Sequence, residues 1–70
     1  MMPLSLVNIG EEASIKRIGG AQELRQHLEN LGFVVGGHVT VVSQLAGNLI
    51  VSVKDSRIAI SREMASKIYV

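Results

Sequence analysis

Apolar residues recur along this chain with two different periods, and the change between them divides it. Residues 21–31, AQELRQHLENL, carry Ala21, Leu24, Leu28 and Leu31 at spacings of three and four, with polar side chains at all remaining positions. That is the single apolar stripe of an amphipathic helix of roughly three turns. A helix so short is not stable alone, so its stripe must dock on something. Gly20 is an acceptable N-cap, and Glu23 at the third helical position suits the positive end of the helix dipole. Gly32 is the stop. With Leu31 as C-cap it falls where a left-handed backbone is wanted, and Phe33 is expected to pack back on Leu28.

From Gly36 onward the period is two. In HVTVVS (residues 38–43), Val39 and Val41 face one way and His38, Thr40 and Val42 the other. In NLIVSVK (residues 48–54), Leu49, Val51 and Val53 lie opposite Ile50, Ser52 and Lys54. RIAI (residues 57–60) points Ile58 and Ile60 inward, and KIYV (residues 67–70) sets Ile68 and Val70 against Tyr69. Gly47 and Asn48 tolerate positive φ and make QLAGNL a hairpin connection; Asp55 and Ser56 make a second tight turn. Ser61 reads as the cap of one helical turn. Ahead of the long helix, NIGEE (residues 8–12) is a turn and ASIKRI (residues 13–18) a strand. Neither face of that strand is cleanly apolar, which predicts a bend or bulge near Arg17. Five short strands, one helix after the first strand and tight connections predict a mostly β fold, a small antiparallel barrel or strongly curled sheet. The last strand would pair with the first, hiding edges that so small a chain cannot otherwise cover.

Composition narrows the classes. Seventy residues make one domain, residues 1–70, with a thin core; a chain of this size buries only roughly 60% of its unfolded surface. There is no cysteine, so disulfides and thiolate metal sites are excluded. The core must then be apolar, and with 47% hydrophobic residues and only Phe33 and Tyr69 aromatic it is almost wholly aliphatic. No apolar run is long enough to insert directly into a membrane, and the start of the chain lacks the basic region of a signal peptide, so the expected compartment is the cytoplasm. The formal net charge is +1, with Lys16, Arg17, Arg25, Lys54, Arg57, Arg62 and Lys67 interspersed with acidic residues. A nucleic-acid binder carries a clear basic stripe, which this chain lacks.

Candidate chemistry is sparse. His27 follows Glu23 by four residues on the polar helix face, but two ligands fall short of the three or four a zinc-type site wants. An exposed helical histidine is the simpler reading, and His38 reads as a solvated residue at a strand start. Imidazole and carboxylate would suit ferrous iron, yet the acids form no cluster around the histidines, so the chain is not read as an iron carrier. IGGAQE (residues 18–23) places glycines before a helix but lacks the full phosphate-loop string. Ser43 and Ser61 have no base at a suggestive spacing. The expectation is therefore no enzyme, no cofactor and no metal site.

LENLGFVVGGHVTVVSQ (residues 28–44), followed by GNLIVSVKDSRIAISREMASKIYV (residues 47–70), resembles the FeoA family of small ferrous-iron transport proteins. The family pattern is a leucine-ended helix, glycine, a bulky apolar residue, a second glycine and a Val-x-Val strand, met here by Leu28, Leu31, Gly32, Phe33, Gly36, Val39 and Val41. Its later part is met by Gly47, Val51, Val53, Ile58, Ala59, Ile60, Ala65, Ile68 and Val70. The resemblance runs over residues 3–70. It departs at Val35 and Asn48, where many members carry proline. It implies an SH3-like five-stranded antiparallel barrel and a cytosolic accessory protein of bacterial ferrous iron uptake. The implied partner is FeoB, a membrane permease with a cytoplasmic GTP-binding domain, which would hold the protein at the inner membrane peripherally. The same barrel resembles the C-terminal domain of iron-dependent repressors, which implies an alternative role as a regulatory barrel that senses metal or binds a repressor-type protein.

Proline-rich peptide binding of the eukaryotic SH3 kind needs an aromatic groove, and two aromatic residues do not build one. A partner would have to meet aliphatic surface or a strand edge. Val34 and Val35 are consecutive apolar residues in the loop beside the helix end, and two readings of them stay open: a cap on a thin core, or a surface kept for a partner. The candidate partner-binding residues are Leu31, Phe33, Val34, Val35 and Met64.

Overall fold

The computed structural model describes residues 1–70. The expected first strand forms as two, β1 (Glu12–Ser14) and β2 (Arg17–Ile18), broken at Ile15 and Lys16. Successive amides of an extended chain point to opposite edges, and here they serve different sheets. The Ile15 N–H donates to the Gly37 carbonyl at 2.8 Å, and the next amide, Lys16 N–H, donates to the Tyr69 carbonyl at 2.7 Å. β1 thus pairs antiparallel with β3 (His38–Leu45), and β2 with β6 (Ile68–Tyr69). The bend expected near Arg17 lies just before it.

β3 continues through β4 (Asn48–Val53) and β5 (Ser56–Ser61) into a four-stranded sheet of order β1-β3-β4-β5; β2 and β6 form the second sheet. First and last strands therefore meet as expected, but β5 and β6 do not pair with each other, so the edges are not all hidden and the barrel stays open between them; the architecture is the small SH3-like one. On the outer edge of β6, Met2 and Val70 exchange backbone hydrogen bonds of 2.9 and 2.8 Å. The chain then makes a short 3-10 helix, Leu4–Leu6, which buries Leu4 and leads Val7 into the core. Three residues are too few to show a period, so the pattern did not reveal it.

Side-chain alternation assigns the inner faces as expected. Val39, Val41, Leu49, Val51, Val53, Ile60 and Ile68 are buried and join Leu28, Phe33 and Ala65 in one apolar cluster. Ile58 packs at the margin of this cluster rather than inside it. In β3 the register shifts between Val41 and Ser43, leaving Val42 as an inserted residue opposite β4.

Both hairpin turns fall one residue earlier than the glycine and aspartate positions suggested. Leu45 pairs with Asn48 and Val53 with Ser56, so the turn residues are Ala46 with Gly47, and Lys54 with Asp55. All four have positive φ, at 50°, 83°, 48° and 63° respectively. Two-residue turns of this hand need positive φ at both positions. The register that keeps Leu49, Val51 and Val53 on the core side outweighs the turn preference of single residues, and Ala46 and Lys54 take up the strain.

The long helix, α1, spans Gln22–Asn30, with Ala21 rather than Gly20 as N-cap and no side-chain capping bond. Glu23 is accordingly its second residue. Its C-terminus is as expected. Leu31 is the C-cap, Gly32 has φ 106°, and the Gly32 and Phe33 N–H groups donate to the Glu29 and Leu28 carbonyls, each at 2.9 Å. These are the two bonds of a Schellman motif, and its hydrophobic partners Phe33 and Leu28 are both fully buried. A second short helix, α2 (Arg62–Ala65), begins where Ser61 Oγ accepts the Met64 N–H at 3.1 Å.

Two stability measurements follow from the backbone. Ala46→Asn restores the residue pair that two-residue hairpins favour, and should raise the unfolding free energy by about 1 kcal/mol in urea titration. Gly32→Ala should lower it by about 1–2 kcal/mol, because the added methyl group finds space but the backbone conformation is unfavourable. An unchanged midpoint for either variant contradicts the assigned turn geometry.

Candidate functional site

Residues 34–37 form a tight turn, closed by the Gly37 N–H donating to the Val34 carbonyl at 2.9 Å. Gly36 occupies its third position with φ 90°, a conformation that glycine adopts freely. The turn is held to the first strand from both sides: Gly36 N–H donates to the Ile15 carbonyl, and Ile15 N–H to the Gly37 carbonyl, both at 2.8 Å. Ile15 itself is 1% exposed, so the anchor is a core residue.

This anchoring separates the two valines. Val34 is half-buried and its side chain lies against Gly37, whereas Val35 stands at the corner of the turn, 66% exposed. Beside them runs a shallow groove of about 530 Å³. One wall is apolar, made by Ile18, Val34 and Val35; the other is the polar face of α1, made by Gln22, Arg25, Gln26 and Glu29. The helix supplies that wall because its residues 22, 25, 26 and 29 share one face at helical spacing, and the buried Leu28 turns them outward.

The structure brings together two of the five residues expected at a partner surface. Phe33 is corrected: at 0% exposure it belongs to the core, where the helix-end motif places it. Leu31 and Met64 are half-buried, pack against the core and lie outside the groove. The wall from α1 was missed. Its signal was the polar stripe 22/25/26/29, which in isolation is indistinguishable from an ordinary solvated helix face.

The other candidates are placed as follows. His27 is exposed on α1, and His38 is exposed at the start of β3, with its Nδ1 3.4 Å from Ser14 Oγ. No three histidine, aspartate or glutamate side chains gather in one place. Ser61 serves as the helix cap. Gly19 and Gly20 make the strand-to-helix turn, with the Gly19 N–H donating to the Lys67 carbonyl at 2.7 Å. Tyr69 is half-buried, and the Arg17 guanidinium carbon lies 5.5 Å from its ring centroid, within cation–π range.

Comparison with known proteins agrees with this architecture. The model of the FeoA domain matches residues 2–70. A protein of Methanocaldococcus jannaschii with the name "Putative Fe(2+) transport protein A" is 37% identical over 70 residues, covering 100% of this chain and 85% of its own length. The crystal structure of an iron uptake regulatory protein (FeoA) superposes with a TM-score of 0.88 at 30% identity, over 96% of this chain and 89% of that one. The FeoA of Stenotrophomonas maltophilia, crystallised with zinc and described as a prokaryotic SH3 domain protein, superposes with a TM-score of 0.87 at 25% identity, over 100% of this chain and 89% of that one. A manganese-dependent transcriptional repressor shares the fold over 97% of this chain and 39% of its own, with a TM-score of 0.88 at 17% identity. With the family model matched over nearly the whole chain, and the helix stop, the glycine turn and the pairing of first and last strands all in place, this chain belongs to the FeoA family.

Proposed function

We propose that this chain is a non-enzymatic accessory protein of ferrous iron transport, acting in the cytoplasm as one unit over residues 1–70, that binds and modulates the membrane permease FeoB. Family membership and the iron-transport role in the name of the M. jannaschii relative support the transport assignment. The observation that carries the binding mode is Val35, an apolar side chain 66% exposed on a turn that a buried core residue holds rigid. A large exposed apolar residue costs little to desolvate and loses little entropy when its backbone is already fixed. The adjoining groove offers the mixture of apolar and polar groups that interfaces use. No helix of the chain is long and apolar enough to cross a membrane, so in this reading the permease holds it at the bilayer peripherally. The likeness to the manganese-dependent repressor is one of fold, and no feature of the groove favours the regulatory reading over this one.

Val35→Asp tests the reading. Val35 lies outside the core, so the far-UV circular dichroism and melting curve should be retained, with a stability change within about 0.5 kcal/mol. Affinity for the cytoplasmic part of FeoB, measured by calorimetry with nucleotide present, should fall at least about tenfold, the loss expected for an interface anchor. Unchanged affinity in a folded variant excludes this turn as the contact.

A further inference from the structure

The small sheet of β2 and β6 has an outer face whose charge is one-sided. Arg17 lies opposite Tyr69, and Ile18 opposite Ile68. Residues directly opposite share a face. Ile68 is buried, so Arg17 and Tyr69 turn outward. The Gly19 N–H bonds to the Lys67 carbonyl and extends the pairing, and alternation along the strand sets Lys67 on the same outer face as Tyr69. Two glycines make room for these side chains. A Cβ added at Gly19 would come within 3.3 Å of the Tyr69 ring, and one at Gly20 within 3.7 Å of the Lys67 stem. The break between β1 and β2 leaves Lys16 exposed as well as Arg17. Three of the seven basic residues therefore gather on this face and its border.

No acidic residue joins them. Residues 13–22 and 64–70, which build the face, contain no aspartate or glutamate, and the N-terminal segment that bridges to Tyr69 through Pro3 has none before Glu11. The nearest acids in sequence, Glu23 and Glu63, belong to α1 and α2. A formal net charge of +1 thus hides a division between a basic face and a remainder in which six acids outnumber four bases. Like charges on neighbouring strands repel, and with no carboxylate of the face to offset them an external anion is favoured there. The form of the face indicates which anion. Neither surface groove is lined by Lys16, Arg17, Lys67 or Tyr69, so the charges lie on an open face instead of converging on a pocket. Bases spread in this way match a plane of anionic lipid headgroups. Tyr69 stands among them, and Met1, 79% exposed, lies at the border where Met2 bonds to the edge of β6. Such aromatic and apolar groups suit the headgroup layer. Three charges are too few for the stripe that a nucleic acid requires.

We infer that the outer face of β2 and β6 is a contact for an anionic membrane surface, made by Lys16, Arg17 and Lys67 with Tyr69 among them. It is distinct from the groove beside α1, and it needs no permease. Tyr69 is the only tyrosine and the chain has no tryptophan, so intrinsic fluorescence reports this face. Vesicles of phosphatidylglycerol and phosphatidylcholine in equal parts should change that fluorescence and carry the protein down on sedimentation; phosphatidylcholine alone should do neither. Arg17→Gln and Lys67→Gln should each lower the partition coefficient about fivefold, the share of one basic residue near such a surface. Arg57→Gln removes the same charge from β5, outside the face, and should leave partition nearly unchanged. Salt at about 0.5 M should abolish binding. Circular dichroism checks each variant; if one of the two face variants fails to fold, the other decides. Equal binding to neutral vesicles overturns the inference, as does an equal loss in Arg57→Gln. So does a response of Tyr69 to inorganic phosphate or to a single-stranded oligonucleotide without any binding to vesicles.

Discussion

Between Ile15 and Lys16 the backbone changes hydrogen-bonding partner, and the joining of the two sheets depends on that change. One amide reaches the turn ahead of β3, and the next reaches the final strand. Two sheets that share no other strand pairing are thereby tied through a single extended segment. The side chain of Ile15 helps to fix which amide points where. Burying it contributes roughly 1.5–3 kcal/mol, comparable to the three backbone bonds made by Ile15 and Lys16 at about 1 kcal/mol each, so side chain and backbone hold the same twist together. A slip of one residue would expose Ile15 and drive Lys16 into a core that contains no polar group.

The same junction produces the surface feature. The hydrogen bonds that join Ile15 to Gly36 and Gly37 hold the glycine turn against the barrel wall, and a turn held there cannot fold its outer corner inward. Val35 stays exposed because Ile15 is buried. Its position, immediately before a glycine of positive φ, is also where a turn of this type favours proline. The joining of the two sheets and the presentation of the candidate contact are two consequences of one local arrangement, with the polar face of α1 supplying the second wall of the groove.

What could be read in the chain beforehand divides along the range of the interactions. The stop of α1 was legible because a Schellman motif is local: Leu28, Leu31, Gly32 and Phe33 contain all of it. The alternation in β3, β4 and β5 was legible because each strand has one buried face. Features set by pairing between distant segments were not. The inserted Val42 exists only relative to β4, and the turn residues Ala46 and Lys54 are chosen by the register of whole strands against the preferences of single residues. The candidate site was half legible for the same reason. Val34 and Val35 stood out as apolar residues without an assignment, whereas Arg25 and Glu29 became a groove wall only when tertiary packing laid α1 beside Ile18.

The contact proposed for the permease joins the turn at residues 34–37 to the polar face of α1. Amide chemical shifts of the labelled chain, followed during titration with the cytoplasmic part of FeoB, test it most directly. The perturbed amides should cluster at residues 34–37, at Ile18 and along α1 from Gln22 to Glu29. Perturbations confined to β4 and β5, or none at saturating permease, would contradict it.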